Sequence, residues 1–179
     1  PPSLMVIDRG AFACCVGLKE LLLPVGLQVI GKDAFLFCTG LARIVFPEGL
    51  ASIGRSAFLG CSALNSIWIP DKTRIDQRAF MNCSSLKNVR LPQDTRTLSD
   101  SVFAGCSSLS AIDLPEGLEV IEAGAFEGCS ALASVRIPSS VKRIGRHAFY
   151  GTAIREVVLP EGARADGAFE DGVTVTYGA

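Results

Sequence analysis

Residues 64–86 read LNSIWIPDKTRIDQRAFMNCSSL, and this stretch decides the fold. Ile67 and Ile69 alternate with Trp68, which is the period-two pattern of a short strand whose two faces meet different surroundings. Pro70 has no backbone N–H to donate to a strand ladder, so it predicts the end of that strand. The stretch therefore begins with one short strand and a stop signal.

The second half of the stretch returns the chain to its starting point. An extended segment leads to Ile75, and the Ala-Phe pair ending at Phe80 predicts a short helical turn that carries the Phe ring inward. The same Phe recurs along the chain at intervals of 23, 23, 22, 23, 23, 23 and 20 residues. The residues at this phase are Phe12, Phe35, Phe58, Phe80, Phe103, Phe126, Phe149 and Phe169.

A fixed period of about 20 to 29 residues, with apolar residues at fixed phases, is typical of a leucine-rich-repeat solenoid. We expect an α/β solenoid, rich in β-structure, of about seven 23-residue coils, with a parallel sheet on one face and short helical turns. Residues 1–179 form one domain in this interpretation, and 161–179 form a degenerate C-terminal capping repeat that ends in a strand at Val173–Tyr177. Pro1 to Ile7 align with Pro24 to Ile30, so the chain begins in mid-repeat and we expect more sequence upstream.

The composition excludes some classes of function. The 17 basic and 18 acidic residues nearly cancel, which gives no electrostatic footprint for nucleic acid or an anionic membrane. No apolar run approaches the roughly 18 residues that a membrane-spanning helix needs. The first residues do not show the charged start of a signal peptide. The totals favour a single domain with a substantial core.

The units resemble the BspA-like, or treponemal, leucine-rich repeats, which read approximately LxxIxIPxxVxxIGxxAFxxCxxL. Ile53-Gly54 with Ala57-Phe58, and Ala125-Phe126 with Gly128-Cys129, carry this pattern clearly. The resemblance covers essentially the whole chain. Val102 stands where the family has Ala, Thr152 where it has Cys, and the last unit is degenerate.

The resemblance implies an exported protein, at the cell surface, in the periplasm or secreted, of a bacterium or a protist. Members of this family bind proteins of the host or of neighbouring cells, which implies an adhesin-like role with a protein or peptide ligand. The family has no catalytic residues to transfer, so no enzyme activity and no cofactor are expected.

Six of the seven cysteines follow the repeat Phe by three residues, which predicts one inward column. Their spacing is that of the coil, with no CxxC pair and one histidine in the chain, so a metal site is not expected. Reduced thiols packed as small hydrophobes are the favoured interpretation, and disulfides between adjacent coils are the alternative. Cys14 lies off the column and is the thiol expected to react most readily. The column consists of Cys15, Cys38, Cys61, Cys83, Cys106 and Cys129.

His147 and the repeated serines do not suggest catalysis. A general base needs a nucleophile within reach, and nothing that could serve recurs beside His147. Ser84-Ser85 and Ser107-Ser108 follow the cysteine of their coils and are interpreted as turn residues that satisfy local backbone groups.

The middle residue of each strand points away from the core and varies from coil to coil. Leu22, Val45 and Trp68 are expected side by side, and such an exposed apolar patch marks an interaction site or packs against a segment N-terminal to it. Arg90, Asp113 and Arg136 continue this column, and their alternating charges are interpreted as cross-strand ion pairs. The candidate partner-binding residues are Leu22, Arg43, Val45, Trp68, Arg90, Asp113 and Arg136.

A second apolar strip follows the repeat Phe by one residue, at Leu36, Leu59 and Met81, with Phe37 beside it. Both apolar strips lie in the first half of the chain, which suggests that this half meets a partner, a second copy or a missing cap. Three hypotheses remain open at this point. The first is a non-enzymatic protein-interaction module, the second is self-assembly through the apolar N-terminal half, and the third is binding of a small hydrophobic ligand near Trp68.

Overall fold

The structure, a computed structural model that describes residues 3–178, is a β-solenoid of about six turns with parallel sheets. Pro1, Pro2 and Ala179, which belong to the predicted first and last units, lie outside the described residues. The observed turn number is close to the expected number of about seven. In residues 3–178 no helix is long and apolar enough to cross a membrane.

Residues 3–178 contain thirteen short strands in two columns. One column holds the strands before each repeat Pro, which we call the strand face, and the other holds the return segments after it. The strand face consists of β2 (Glu20–Leu22), β4 (Arg43–Val45), β6 (Ser66–Trp68), β8 (Asn88–Arg90), β12 (Glu156–Pro160) and β13 (Thr174–Gly178). The return column consists of β1 (Val6–Ile7), β3 (Val29–Ile30), β5 (Ser52–Ile53), β7 (Arg74–Ile75), β9 (Thr97–Leu98), β10 (Val120–Ile121) and β11 (Arg143–Ile144).

The return column forms the more continuous sheets, which the sequence predicted only as extended segments. β1, β3, β5 and β7 form one four-stranded parallel sheet, and β9, β10 and β11 form a three-stranded one. The break falls after the coil that has one residue fewer between Pro70 and Ile75. There the hydroxyl of Ser99 donates to the carbonyl of Ile75 at 2.7 Å. A side chain thus makes the link between β7 and the coil of β9.

The strand face is interrupted, although it was predicted as one parallel sheet. It consists of three separate parallel pairs, β2 with β4, β6 with β8, and β12 with β13. Residues 111–113 and 134–136 occupy strand positions without forming strands. The ladder of the strand face is lost between β8 and β12, although β9, β10 and β11 remain paired in the return column.

The predicted helical turn around the repeat Phe is wrong. The residues two before and two after the Phe adopt left-handed φ angles, which a continuous α-helix does not allow. The backbone N–H of Phe58 donates to Ala79 O of the next coil at 2.8 Å, and Phe103 N donates to Ala125 O at 2.9 Å. The turns therefore form a third ladder between coils. The non-glycine residues with left-handed φ in these two columns are Cys14, Asp33, Phe37, Ser56, Arg78, Asn82, Ser101 and His147.

The repeat phenylalanines stack into one continuous column at the centre of the solenoid. Adjacent rings lie 5.0 to 5.8 Å apart, with interplanar angles between 1° and 14°. The six rings from Phe35 to Phe149 are essentially fully buried. Offset stacking of this kind adds to the free energy of burying the aromatic surface. Each repeat of the sequence therefore contributes one ring to the column.

The strand that the sequence predicts in the last unit is confirmed. The alternating run Val173–Tyr177 was predicted as a strand, and β13 forms there in parallel register with β12. Val157 faces Val175 across this pair. The shortened last unit therefore closes the strand face with a paired strand.

Candidate functional site

The strand face presents the alternation that the sequence predicted around Trp68. Ile67 and Ile69 are buried, at 4% and 0% exposure, while Trp68 between them is 63% exposed. In β4 the same alternation buries Ile44 and exposes Val45. A large aromatic side chain thus lies on the surface of a rigid repeat.

Leu22 and Val45 extend the apolar surface toward the first coil. They face each other directly in the β2–β4 pair, and Leu22 is 85% exposed. Val45 and Trp68 line one groove across the neighbouring coils. The structure therefore brings the predicted apolar trio onto one face.

The groove around Trp68 has a volume of about 690 Å³ and crosses four coils. Its walls combine apolar groups with four charged side chains, which is a mixed lining of the kind that fixes both affinity and orientation. The lining includes Arg43, Val45, Glu48, Trp68, Arg90 and Asp113.

Arg90 lies over the indole of Trp68. Its guanidinium carbon is 4.5 Å from the ring centroid, and the two residues are in register in the β6–β8 pair. A cation at this distance from the face of a Trp ring is attracted by the electrons of the ring. The groove therefore contains a cation–π pair, which the sequence analysis did not foresee.

The charge run expected along Arg90, Asp113 and Arg136 does not form. Arg136 bonds Glu116, and Arg90 turns to Trp68. The reason is the interrupted strand face, because residues at 113 and 136 do not lie in a ladder that would hold their side chains in register. Within residues 3–178 no ion pair involves Asp113.

Glu48 is a groove residue that the sequence analysis missed. It follows the strand-ending Pro47, whereas the predicted binding residues all lie at strand positions. Its side chain is exposed and, in the part of the chain described, it also belongs to no ion pair. Acidic residues recur one position after the repeat Pro, at Asp71, Glu116 and Glu161. This recurrence in the sequence could have identified Glu48 as a candidate.

Arg43 has a neighbour of opposite charge. It lies directly opposite Glu20 in the β2–β4 pair, an arrangement that favours cross-strand attraction. The groove therefore contains two basic and two acidic side chains, Arg43 and Arg90 with Glu48 and Asp113.

The second predicted strip is only partly exposed. Leu36, Leu59 and Met81 are half-buried, and Phe37 is 47% exposed. The ring of Phe37 covers Gly60 so closely that a Cβ there would lie 2.3 Å from it. This strip thus packs largely against its own coils.

Five of the six predicted column cysteines are buried and one is not. Cys15 is exposed because it lies on the first coil, as does Cys14. The buried thiols donate to the carbonyl of the repeat Phe one coil earlier, for example Cys61 to Phe35 O at 3.2 Å. The corresponding donors in the other coils are Cys38, Cys83, Cys106 and Cys129.

Burial sets the chemistry of these thiols. Desolvation raises the pKa of Cys61 and of Cys129 to about 12, and it raises those of Cys83 and Cys106 well above 9.0. A thiol that keeps its proton is a poor nucleophile and a poor metal ligand. All seven cysteines are free. In residues 3–178 no group of three or more His, Cys, Asp or Glu side chains is arranged to hold a metal ion.

His147 lies at a left-handed position and contacts an aromatic ring. Its φ is 59°, and its ring centroid is 4.9 Å from that of Tyr150, tilted by 38°. Through this contact His147 packs against Tyr150 near the surface.

Comparison with known proteins places the repeat in a family. The model of the BspA type leucine rich repeat region matches in six copies, over residues 5–129 and 64–171. A leucine-rich-repeat protein of T. pallidum is 29% identical with a TM-score of 0.73, and the match covers 95% of this chain and 73% of that one. No curated protein matches the chain.

Two further solved structures share the fold. A leucine-rich repeat protein from Bacteroides ovatus ATCC 8483 is 24% identical with a TM-score of 0.73, covering 97% of this chain and 55% of that one. A leucine rich cell surface protein from Faecalibacterium prausnitzii A2-165 is 28% identical with a TM-score of 0.62, covering 100% of this chain and 52% of that one. The chain thus spans about half the length of these two proteins. By its repeats and its fold, the chain belongs to the family of BspA-type leucine-rich-repeat proteins.

Proposed function

We propose that this chain is a non-enzymatic protein-interaction module of an exported protein, which binds a protein on another cell through its strand face. The observation that carries the proposal is the groove around Trp68, where an exposed Trp lies between apolar and charged side chains on a rigid surface. Trp and Arg are enriched among the residues that dominate protein interfaces. The candidate surface comprises Leu22, Arg43, Val45, Trp68, Arg90, Asp113 and Arg136, together with Glu48; all of these except Leu22 and Arg136 line the groove.

Two further observations support this proposal. The similar Faecalibacterium prausnitzii protein is described as a cell surface protein, which favours export of this chain. The buried cysteines have raised pKa values and therefore do not supply a nucleophile. A repeat scaffold of this kind creates extended surfaces on which function depends on the variable positions.

The test is binding of the fluorescently labelled chain to cultured epithelial cells, before and after the cells are treated with trypsin. We expect saturable binding that trypsin abolishes, and that Trp68→Ala reduces at least tenfold. Tyr150→Ala is the matched control, because Tyr150 is an exposed aromatic residue (44%) away from the strand face. Binding that persists after trypsin treatment, or that is indifferent to Trp68, would contradict the proposal.

A second candidate function is self-association through the apolar end of the first coil. Leu22 and Val25 are 85% and 84% exposed, and they border a largely apolar depression of about 550 Å³ that also contains Phe12. Exposed apolar patches of this kind favour association. Sedimentation velocity over a hundredfold concentration range decides this point. A dimer lost in Leu22→Ser would support self-association, and a monomer at all concentrations would exclude it.

A further inference from the structure

A second groove crosses the other end of the strand face, and we call it the β12 groove. It has a volume of about 950 Å³ and runs over three coils, with residues 133–139 on one side, β12 in the middle and β13 on the other side. It shares no lining residue with the groove of Trp68. The two grooves are therefore separate surfaces on the same face.

The strand β12 sets the order of the side chains in this groove. Val157 and Leu159 are buried, whereas Glu156 and Val158 point outward, and Val158 is 61% exposed. Glu161 follows the last residue of the strand and is also exposed. An exposed apolar side chain thus lies between two carboxylates, one at each end of β12.

The unpaired charge of the β12 groove is negative. Its charged lining residues are Arg136, Glu156 and Glu161. Arg136 already pairs with Glu116, whereas within residues 3–178 neither carboxylate of the lining belongs to an ion pair. Arg155 precedes Glu156 in the chain but lies outside the lining. This imbalance distinguishes the β12 groove from that of Trp68, where two basic and two acidic side chains are present.

We propose that the β12 groove binds an extended segment of a partner protein that carries an Arg or Lys side chain near each end and an apolar side chain between them. The two cations pair with Glu156 and Glu161, and the apolar side chain packs on Val158. In an extended segment, residues four apart share a face and are separated by about 13 Å, which is the length of a five-residue strand such as β12. The inference adds a second contact surface to the one proposed around Trp68.

A segment with acidic ends fits this groove less well. Its carboxylates would meet Glu156 and Glu161 as like charges, which disfavours a partner at short range. Arg136 would have to leave Glu116 to bind such a segment, and within residues 3–178 the lining has no other cation. Charge complementarity therefore favours the segment with basic ends.

The probes are three fluorescently labelled, capped pentapeptides, and the measurement is fluorescence anisotropy in about 20 mM salt, where exposed charges are weakly screened. The peptide arginine–serine–leucine–serine–arginine is expected to bind saturably, and its glutamate counterpart at least tenfold more weakly. A third peptide of the same composition, with both arginines at one end, is expected to bind about two- to fivefold more weakly, because it reaches only one carboxylate. The net charge of the chain is −1, so its overall charge does not account for such differences.

Variants locate the binding site. Glu156→Gln and Glu161→Gln are each expected to weaken binding of the first peptide by about two- to fivefold, and the double variant by about the product. Both side chains are exposed, so the variants are expected to fold. Glu127→Gln is the matched control, because Glu127 is an exposed carboxylate outside both grooves and has no ion-pair partner in the described part of the chain.

The fluorescence of Trp68 separates the two grooves. Trp68 is the one Trp of the chain and lines the other groove, so its fluorescence is expected to stay constant as the peptide binds. A saturable change with the same midpoint would place the peptide beside Trp68 and overturn the assignment to the β12 groove.

The remaining outcomes are equally decisive. Equal or tighter binding of the glutamate peptide, no saturable binding of the arginine peptide, or the same loss in Glu127→Gln as in Glu156→Gln overturns the inference. The proposed function around Trp68 fails by a different measurement, namely cell binding that is indifferent to Trp68, and peptide binding at β12 does not depend on that result.

Discussion

The phenylalanine column and the strand face are built from the same repeat and differ in every physical respect. Along the column the residue type is constant, the rings are buried, and each turn bonds the next through its backbone. Along the strand face the residue type varies, the side chains are exposed, and the ladder is broken into three pairs. The stacked rings and the bonded turns link one coil to the next along the column, whereas the strand face links only three pairs of coils, so its exposed residues can vary and are available for binding.

The largest expected effect on stability comes from removing one ring of the phenylalanine column. Phe80→Ala removes a fully buried ring that stacks on neighbours at 5.3 and 5.7 Å, and such a change costs about 3–5 kcal/mol. Because each coil contacts only its neighbours, the loss is expected to destabilise the coils on both sides. Denaturant unfolding measures the effect. Val25→Ala, which shortens a side chain that is 84% exposed and lies outside the column, is the control and is expected to cost less than about 1 kcal/mol.

The cysteine column makes stability depend on alkaline pH. The folded pKa values of the buried thiols lie above the unfolded value of 9.0, so their contribution is complete below pH 9 and falls as the pH rises from about 9 toward 12. Between pH 8 and 9.5 we expect a loss of about 1 kcal/mol for each of Cys61 and Cys129, whose folded pKa is about 12. Cys106→Ala is expected to reduce this pH dependence, because burial raises the pKa of the Cys106 thiol.

Counting thiols with Ellman's reagent checks the same column independently. The native chain is expected to show at most two rapidly reacting groups, Cys14 and Cys15, because the other five are buried. All seven are expected to react in denaturant without reductant. Fewer than seven in denaturant would mean that disulfides exist and that the column is not made of free thiols.

A substitution at a left-handed position is expected to have a smaller effect, and to raise the stability of the fold instead of lowering it. His147 adopts a φ of 59°, which a glycine tolerates at little steric cost. His147→Gly is therefore expected to raise stability by about 0.5–1 kcal/mol, whereas His147→Ala, which keeps a Cβ, is not expected to raise it. Thermal unfolding of the two variants makes the comparison. A stabilised alanine variant would mean that the His147–Tyr150 contact, and not the backbone angle, governs this position.

Much of the core could be predicted from the sequence, because it depends on periodicity. The Phe column, the inward cysteines and the outward Trp68 follow from residues that recur at fixed phases. The helical turns could not be excluded in this way, since a left-handed φ at Ser56 or Arg78 is not encoded by a residue type such as Gly. The shortened coil after Pro70 is visible in the sequence, but the break that it produces between β7 and β9 is seen only in the structure.

The site was predicted in part, for a related reason. Side chains that share a column are expected to be neighbours only where the strands are paired, and the pairing fails at 111–113 and 134–136. The Arg90–Trp68 contact replaced the expected charge run, because an aromatic ring competes with a carboxylate for the same guanidinium. Glu48 was missed because it lies one residue beyond the strand-ending Pro.

The most direct test of the account compares folding and binding in one variant, Trp68→Ala. Its side chain is 63% exposed, so the free energy of unfolding is expected to change by less than about 1 kcal/mol while binding to cells falls at least tenfold. Phe80→Ala and Tyr150→Ala, measured beside it, mark the core and an exposed aromatic residue outside the groove. A Trp68→Ala variant that unfolds as easily as Phe80→Ala, or that binds cells as well as the wild type, would contradict the division between scaffold and binding face.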